Sequence, residues 1–172
     1  MQPDAIAAIV EQWERERPDL DPAPMLVIGR LFRLADALDQ QLRPPFNAAN
    51  LGNGDFDVLA ALRRAGEPYA LSAGELSRTV LVTTGAITKR VDRLEARGLV
   101  ARTVAETDSR GRLITLTAEG IALTDELIAA HLDNQHRLLA GLSDDEQAHL
   151  ADLLARLAGT LTSGPDETRR SP

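Results

Sequence analysis

The 172-residue sequence contains no cysteine. Disulfides, thiolate metal sites and thiol-based redox sensing are therefore excluded, and a reducing cytoplasm is the expected setting. Aromatic residues are nearly as scarce, at 3% against 44% hydrophobic overall. Any core must be built from Leu, Ala, Ile and Val, and a Leu/Ala/Glu/Arg-rich chain favours helix. No apolar run approaches the ~20 residues that span a bilayer, and no signal peptide is visible. Histidine occurs three times, and His131 and His136 do not have the i,i+4 spacing of a helical metal pair. Without a nucleophile elbow, a phosphate loop or a convergent carboxylate pair, the sequence reads as a non-enzyme with no cofactor and no metal.

The net charge is −7, an unpromising value for a partner of nucleic acid, but the charge is segregated. Between Arg78 and Arg112 there are eight Lys or Arg against four Asp or Glu, so that segment is basic and the remainder strongly acidic. Local field rather than net charge attracts phosphate. An acidic remainder weakens non-specific binding and suits a selective binder.

The basic segment lies within the stretch from Ser72 to Thr117, around which the chain is organised. Ser72 and Glu75 have the spacing of a capping box, with Leu71 and Leu76 placed as a staple, so a helix starts there. It gives way at Val80-Leu81-Val82, and Thr83 caps a second helix. Two helices joined by so short a turn form a helix-turn-helix. On the second helix Ile87, Val91 and Leu94 share one stripe that must be buried. Gly85, Thr88, Lys89, Asp92 and Arg93 lie on or beside the opposite face, where small, hydroxylic and basic residues allow close approach to a duplex. Asp92 is the exception, and is expected to orient Lys89 or Arg93. Gly98 ends the helix. Residues 99–104 and 112–117 then read as two strands around a turn over 106–111, a hairpin with Arg110 at its tip and Arg112 beside it. Asp108 can pair with Arg110, and an arginine on a projecting hairpin suits the narrow minor groove. The expected DNA-contacting set is Thr83, Thr84, Gly85, Thr88, Lys89, Arg93, Arg110 and Arg112.

Around this centre the sequence predicts helices over residues 3–16, from Pro22-Ala23-Pro24 to about Leu42, over Asp55–Ala65, from Ala118 to about Ala140, and from a second capping box at Ser143–Glu146 through Leu161. Pro44-Pro45 is expected to end the second helix, with a loop at Asn50–Gly54. The organisation is thus N-terminal helices (1–45), a winged helix-turn-helix (54–117), C-terminal helices (118–161) and a polar, disordered tail (162–172). The fold class is mainly α with a small β wing. The terminal helices carry more apolar surface than one small winged domain covers, which points to a twofold homodimer. Two reading helices one turn apart would then read a pseudo-palindromic operator in double-stranded DNA, with half-sites ~10 bp apart.

Leu76-Ser77, Thr84 through Glu95, Gly98-Leu99-Val100, Asp108-x-Arg110 and Leu116-Thr117-x-x-Gly120 together resemble the MarR family of winged helix-turn-helix repressors. The N-terminal extra helix bearing Trp13, the Glu16–Asp21 stretch and Asp55-Phe56-Asp57-Val58-Leu59 resemble its PecS and urate-responsive branch. The resemblance implies an anionic effector pocket made by Trp13, Asp57, Arg90 and Arg102. The pattern itself also marks these residues. Trp13 is the one tryptophan, Arg90 flanks a buried stripe, and Arg102 shares strand parity with Val100 and Val104 and so needs an anionic partner. On pattern alone, packing and structural ion pairs are the simpler reading. In such a pocket, urate or a small carboxylate would compete with Asp57 for the two arginines and re-aim the reading helix, releasing DNA. A rival reading is a winged-helix module that contacts proteins, which would not need a basic wing tip beside a Thr/Gly/Lys face.

Overall fold

The computed structural model describes residues 4–52, 54–80, 83–104 and 112–162. Its elements are α1 (Ala5–Glu16), α2 (Pro24–Leu42), α3 (Pro44–Ala48), α4 (Asp55–Arg64), β1 (Ala70–Ser72), α5 (Ala73–Thr79), α6 (Thr84–Ala96), β2 (Val100–Val104), β3 (Arg112–Leu116), α7 (Ala118–Leu139) and α8 (Asp144–Thr162). The chain divides into two compact units within α7, one ending at His131 and the other beginning at Leu132.

In the first unit, Asp4 caps α1 by accepting from the amides of Ile6 and Ala7. The same carboxylate takes Arg30 Nε at 2.9 Å and so fastens α1 to α2. Pro44 and Pro45 do end α2, but they also open α3, because proline tolerates the first turn, where its missing N–H is not needed. The expected helices do not include this short one. Ser72 and Glu75 form the expected capping box, and Thr83 caps α6 by accepting from Ala86 N. Gly98 takes φ +70° just beyond α6, the left-handed conformation that terminates a helix.

The two expected strands pair antiparallel as β2 and β3, and a third strand joins them. The sheet has three antiparallel strands in the order β1-β3-β2. β1 pairs Leu71 with Ile114, and β2 pairs Arg102 with Ile114 from the other side. A three-residue strand is too short to show alternation, and Leu71-Ser72 carries a stronger helix-start signal. Around the sheet, α4 contributes Val58, Leu59 and Leu62, α5 contributes Leu76, and α6 contributes Ile87, Val91 and Leu94, all at most 1% exposed. This is the stripe expected of α6. The core fixes which face of α6 remains outside.

In the second unit Ser143 and Glu146 form the predicted reciprocal cap ahead of α8. The described part of α8 leaves Leu150, Leu153, Leu154 and Leu161 exposed. Among the described residues no helix is long and apolar enough to cross a membrane. The expected turn over 106–111 and nearly all of the 162–172 tail lie outside the described residues.

Candidate nucleic-acid interface and ligand pocket

The outer face of α6 presents Gly85, Thr88 and Lys89, all exposed, with Thr83 exposed at its start. A Cβ at Gly85 would meet no atom within 4 Å. Nothing among the described residues therefore requires glycine there. Arg112 is exposed at the start of β3. The Thr84 side chain and all of Arg110 and Asp108 lie outside what is described.

Arg93, expected on the same face, has another partner. Its Nη2 donates to Asp55 Oδ1 at 2.6 Å and its Nε to Asp55 Oδ2 at 3.3 Å. The Asp55 side chain is 4% exposed while that of Arg93 is 49% exposed. The carboxylate beside it holds the Arg93 pKa above the usual arginine value. Asp55 stands in the Asp55–Leu59 stretch that carries the family resemblance but is not among the candidate site residues read from the sequence. The local signal for its role is its place directly after Gly52-Asn53-Gly54, where a carboxylate can turn back to accept a loop amide, as it does from Gly52 N at 2.8 Å. Asp92 also departs from expectation. It pairs with Arg102 of β2 rather than with Lys89 or Arg93.

Of the four residues assigned to an effector, Arg102 does find its anionic partners, and they are Asp92 and Glu95 of α6. Hydrogen bonding to Asp92 raises its pKa, against a smaller opposing effect of burial. Arg90 is half-buried, and its Nη1 donates to the Gly54 carbonyl at 3.3 Å. Among the described residues neither arginine is paired with Asp57. An anion reaching Arg102 must displace Asp92 and Glu95. Trp13 is 46% exposed on α1.

A cavity of about 230 Å³ lies among α2, α3, α4 and α7. Asp57 and Gly54, the acceptor of Arg90, are in its wall, while Trp13 and Arg102 are not. Phe46, Phe56 and His131 form its aromatic side, with the Phe46 and Phe56 rings stacked at 4.5 Å. Among the described residues its one lysine or arginine is Arg43, which is doubly bonded to Asp39 at 2.8 and 2.9 Å. The structure thus places Asp57 and the Arg90 contact at one cavity and leaves Trp13 and Arg102 outside its lining.

A buried three-helix core, a capped helix turned outward and a three-stranded sheet behind it define a winged helix-turn-helix protein. The chain belongs to the MarR family of transcriptional regulators, whose model matches residues 50–111. It is 41% identical over 152 residues to the HTH-type transcriptional regulator PecS of Dickeya dadantii (strain 3937), covering 88% of this chain and 92% of that one. A crystal structure of a MarR mutant from E. coli complexed with operator DNA is similar, with a TM-score of 0.66 at 27% identity over 84% of this chain and 96% of the other. So is NadR in complex with 4-hydroxyphenylacetate, with a TM-score of 0.63 at 28% identity over 80% and 98%.

Proposed function

We propose that the protein is a homodimeric repressor that binds a pseudo-palindromic operator and is released by a small anionic effector. The observation that carries the DNA reading is α6 itself, whose buried Ile87/Val91/Leu94 stripe forces Gly85, Thr88 and Lys89 outward beside a capped N-terminus. Backbone amides at a helix start and a close-approaching glycine suit phosphate and base edges. Thr83 is exposed at the start of this face and Arg112 at the start of β3, and Thr84 and Arg110 are assigned to the DNA-contacting set from the sequence.

Dimerisation is supported by apolar surface that each unit leaves open. In the first unit Val27 and Phe32 of α2 are 56% and 72% exposed, and in the second Leu161 is 81% exposed. A second copy is the natural cover for such surface. Effector control is supported by the relatives and by the cavity. Gly52 and Gly54 in its wall belong to the same segment that accepts Arg90 and Arg93. An occupant that shifts this segment changes the pose of α6, provided it binds the released form better. Asp57, in the cavity wall, and Arg90, bonded to Gly54 of that wall, are the effector residues this cavity supports, and Trp13 and Arg102, outside its lining, are assigned from the family resemblance alone.

The experiment is a gel-shift titration on DNA flanking the protein's own gene, with urate and a panel of small carboxylates. A saturable, salt-sensitive shift reversed by one anion supports the whole reading. A shift that no anion reverses keeps the repressor and removes the effector. If Arg90→Ala and Arg102→Ala proteins leave DNA at the wild-type effector concentration, those two residues do not form the site. The absence of any salt-sensitive shift favours a protein-contact module instead.

A further inference from the structure

Three arginines of α6 and its C-cap, Arg90, Arg93 and Arg97, recur at i, i+3 and i+7 and so form one stripe. All three turn toward the segment that precedes and opens α4. Arg90 Nη1 reaches the Gly54 carbonyl at 3.3 Å. Arg93 makes its two-pronged bond to Asp55. Arg97 Nη1 and Nη2 reach the carbonyls of Asn50 and Ala49, each at 2.8 Å. Asn50 at φ +52° and Gly54 at φ +77° bend this segment in the left-handed region. Asp55 lies at the centre, 3% exposed and further held by the Gly52 amide.

We propose that this segment is the seat that sets the pose of α6 on DNA, that Asp55 is its positioning residue, and that Arg93 serves operator binding by holding the seat rather than by touching phosphate. The proposal rests on the DNA-binding reading above. The apolar stripe of Ile87, Val91 and Leu94 fixes which face of α6 is buried, but apolar contact is non-directional and sets the finer roll about the helix axis less sharply than hydrogen bonds do. Two-pronged, charge-assisted hydrogen bonds are directional and define it. Arg93 lies at the border between the buried stripe and the Gly85/Thr88/Lys89 face, where a change of roll moves that face most directly.

The test is operator affinity against salt concentration for the full-length wild type, Asp55→Asn, Arg93→Gln and the double variant. Thermal unfolding, run alongside, confirms that each is folded at the assay temperature. Losing a charged hydrogen bond that orients the helix should lower affinity about tenfold in either single variant. The double variant should lose no more than either single, and the slope of log affinity against log salt should stay at the wild-type value. A role confined to fold stability would leave the affinity of the folded protein unchanged and overturn the proposal. So would a salt slope reduced by about one phosphate contact per subunit in Arg93→Gln, with wild-type affinity in Asp55→Asn. Should Asp55→Asn fail to fold, Arg97→Gln probes the seat from its other end. Weaker binding at an unchanged slope supports the proposal, and wild-type affinity overturns it. A wild type that binds no DNA in a salt-sensitive way defeats the DNA reading and this inference together, whereas a binding wild type with indifferent variants defeats the seat alone.

Discussion

Arg90 occupies the space that a side chain at residue 54 would need. Its Nη1 lies 3.3 Å from the Gly54 carbonyl, and a Cβ at Gly54 would fall 2.1 Å from its Cζ. Gly54→Ala therefore meets two penalties, a left-handed φ and a displaced guanidinium. Because the guanidinium is the far end of a flexible chain, the backbone strain dominates, at about 1–2 kcal/mol. Urea denaturation should show a lower midpoint with an unchanged slope.

Gly120→Ala should be the costlier substitution. A Cβ there would fall 2.0 Å from the Leu99 backbone oxygen. A backbone atom cannot swing aside, so the start of α7 must move off the start of β2. The expected loss is about 2–3 kcal/mol, as for overpacked cores, read as a lowered melting temperature.

Gly85→Ala separates stability from function. With no neighbour within 4 Å, alanine gains helix propensity of up to about 0.5–1 kcal/mol. The added methyl nevertheless projects from the face assigned to DNA. The melting temperature should rise while operator affinity falls. A rise in both would show that α6 does not approach the duplex closely at this residue.

The cap of α5 should titrate. The Ser72 amide and hydroxyl donate to Glu75 Oε2 at 2.8 and 2.7 Å. The amide bond first, then the hydroxyl, hold the Glu75 pKa below its ordinary value. A lowered folded-state pKa means that the cap contributes fully above the unfolded value, about 4.3, and loses its contribution as pH falls through the folded one. Glu75→Gln should therefore flatten the decline of stability below about pH 4.3, measured by denaturant titration across that range.

Elements whose signals are local and periodic are legible in the sequence. The capping boxes at Ser72 and Ser143, the Thr83 cap, the Gly98 stop and the Ile87/Val91/Leu94 stripe each depend on residues within one or two helical turns. The fold class follows from them. α3 and β1 are not legible, because five residues opening on a proline pair and three residues before a helix are too short to display a period. The cavity of Phe46, Asp57 and His131 brings together residues from three helices, and no spacing along the chain announces it.

The arginines show where sequence alone stops. The sequence by itself determined that α6 is basic, that one of its faces is apolar and must be buried, and that Arg102 on an apolar strand face needs a carboxylate. It also determined the family, through ordered motifs from Leu76 to Gly120. Only the tertiary structure decided which positive charges are taken up by internal partners. Arg90, Arg93 and Arg97 are turned to residues 49–55, and Arg102 is tied to Asp92 and Glu95. Lys89 and Arg112 are exposed and have no ion pair among the described residues. The reason is physical. Helical periodicity specifies the angle at which a side chain leaves its own helix, whereas its partner is set by which carboxylate or carbonyl another part of the chain brings within about 3 Å, and that proximity exists only after folding.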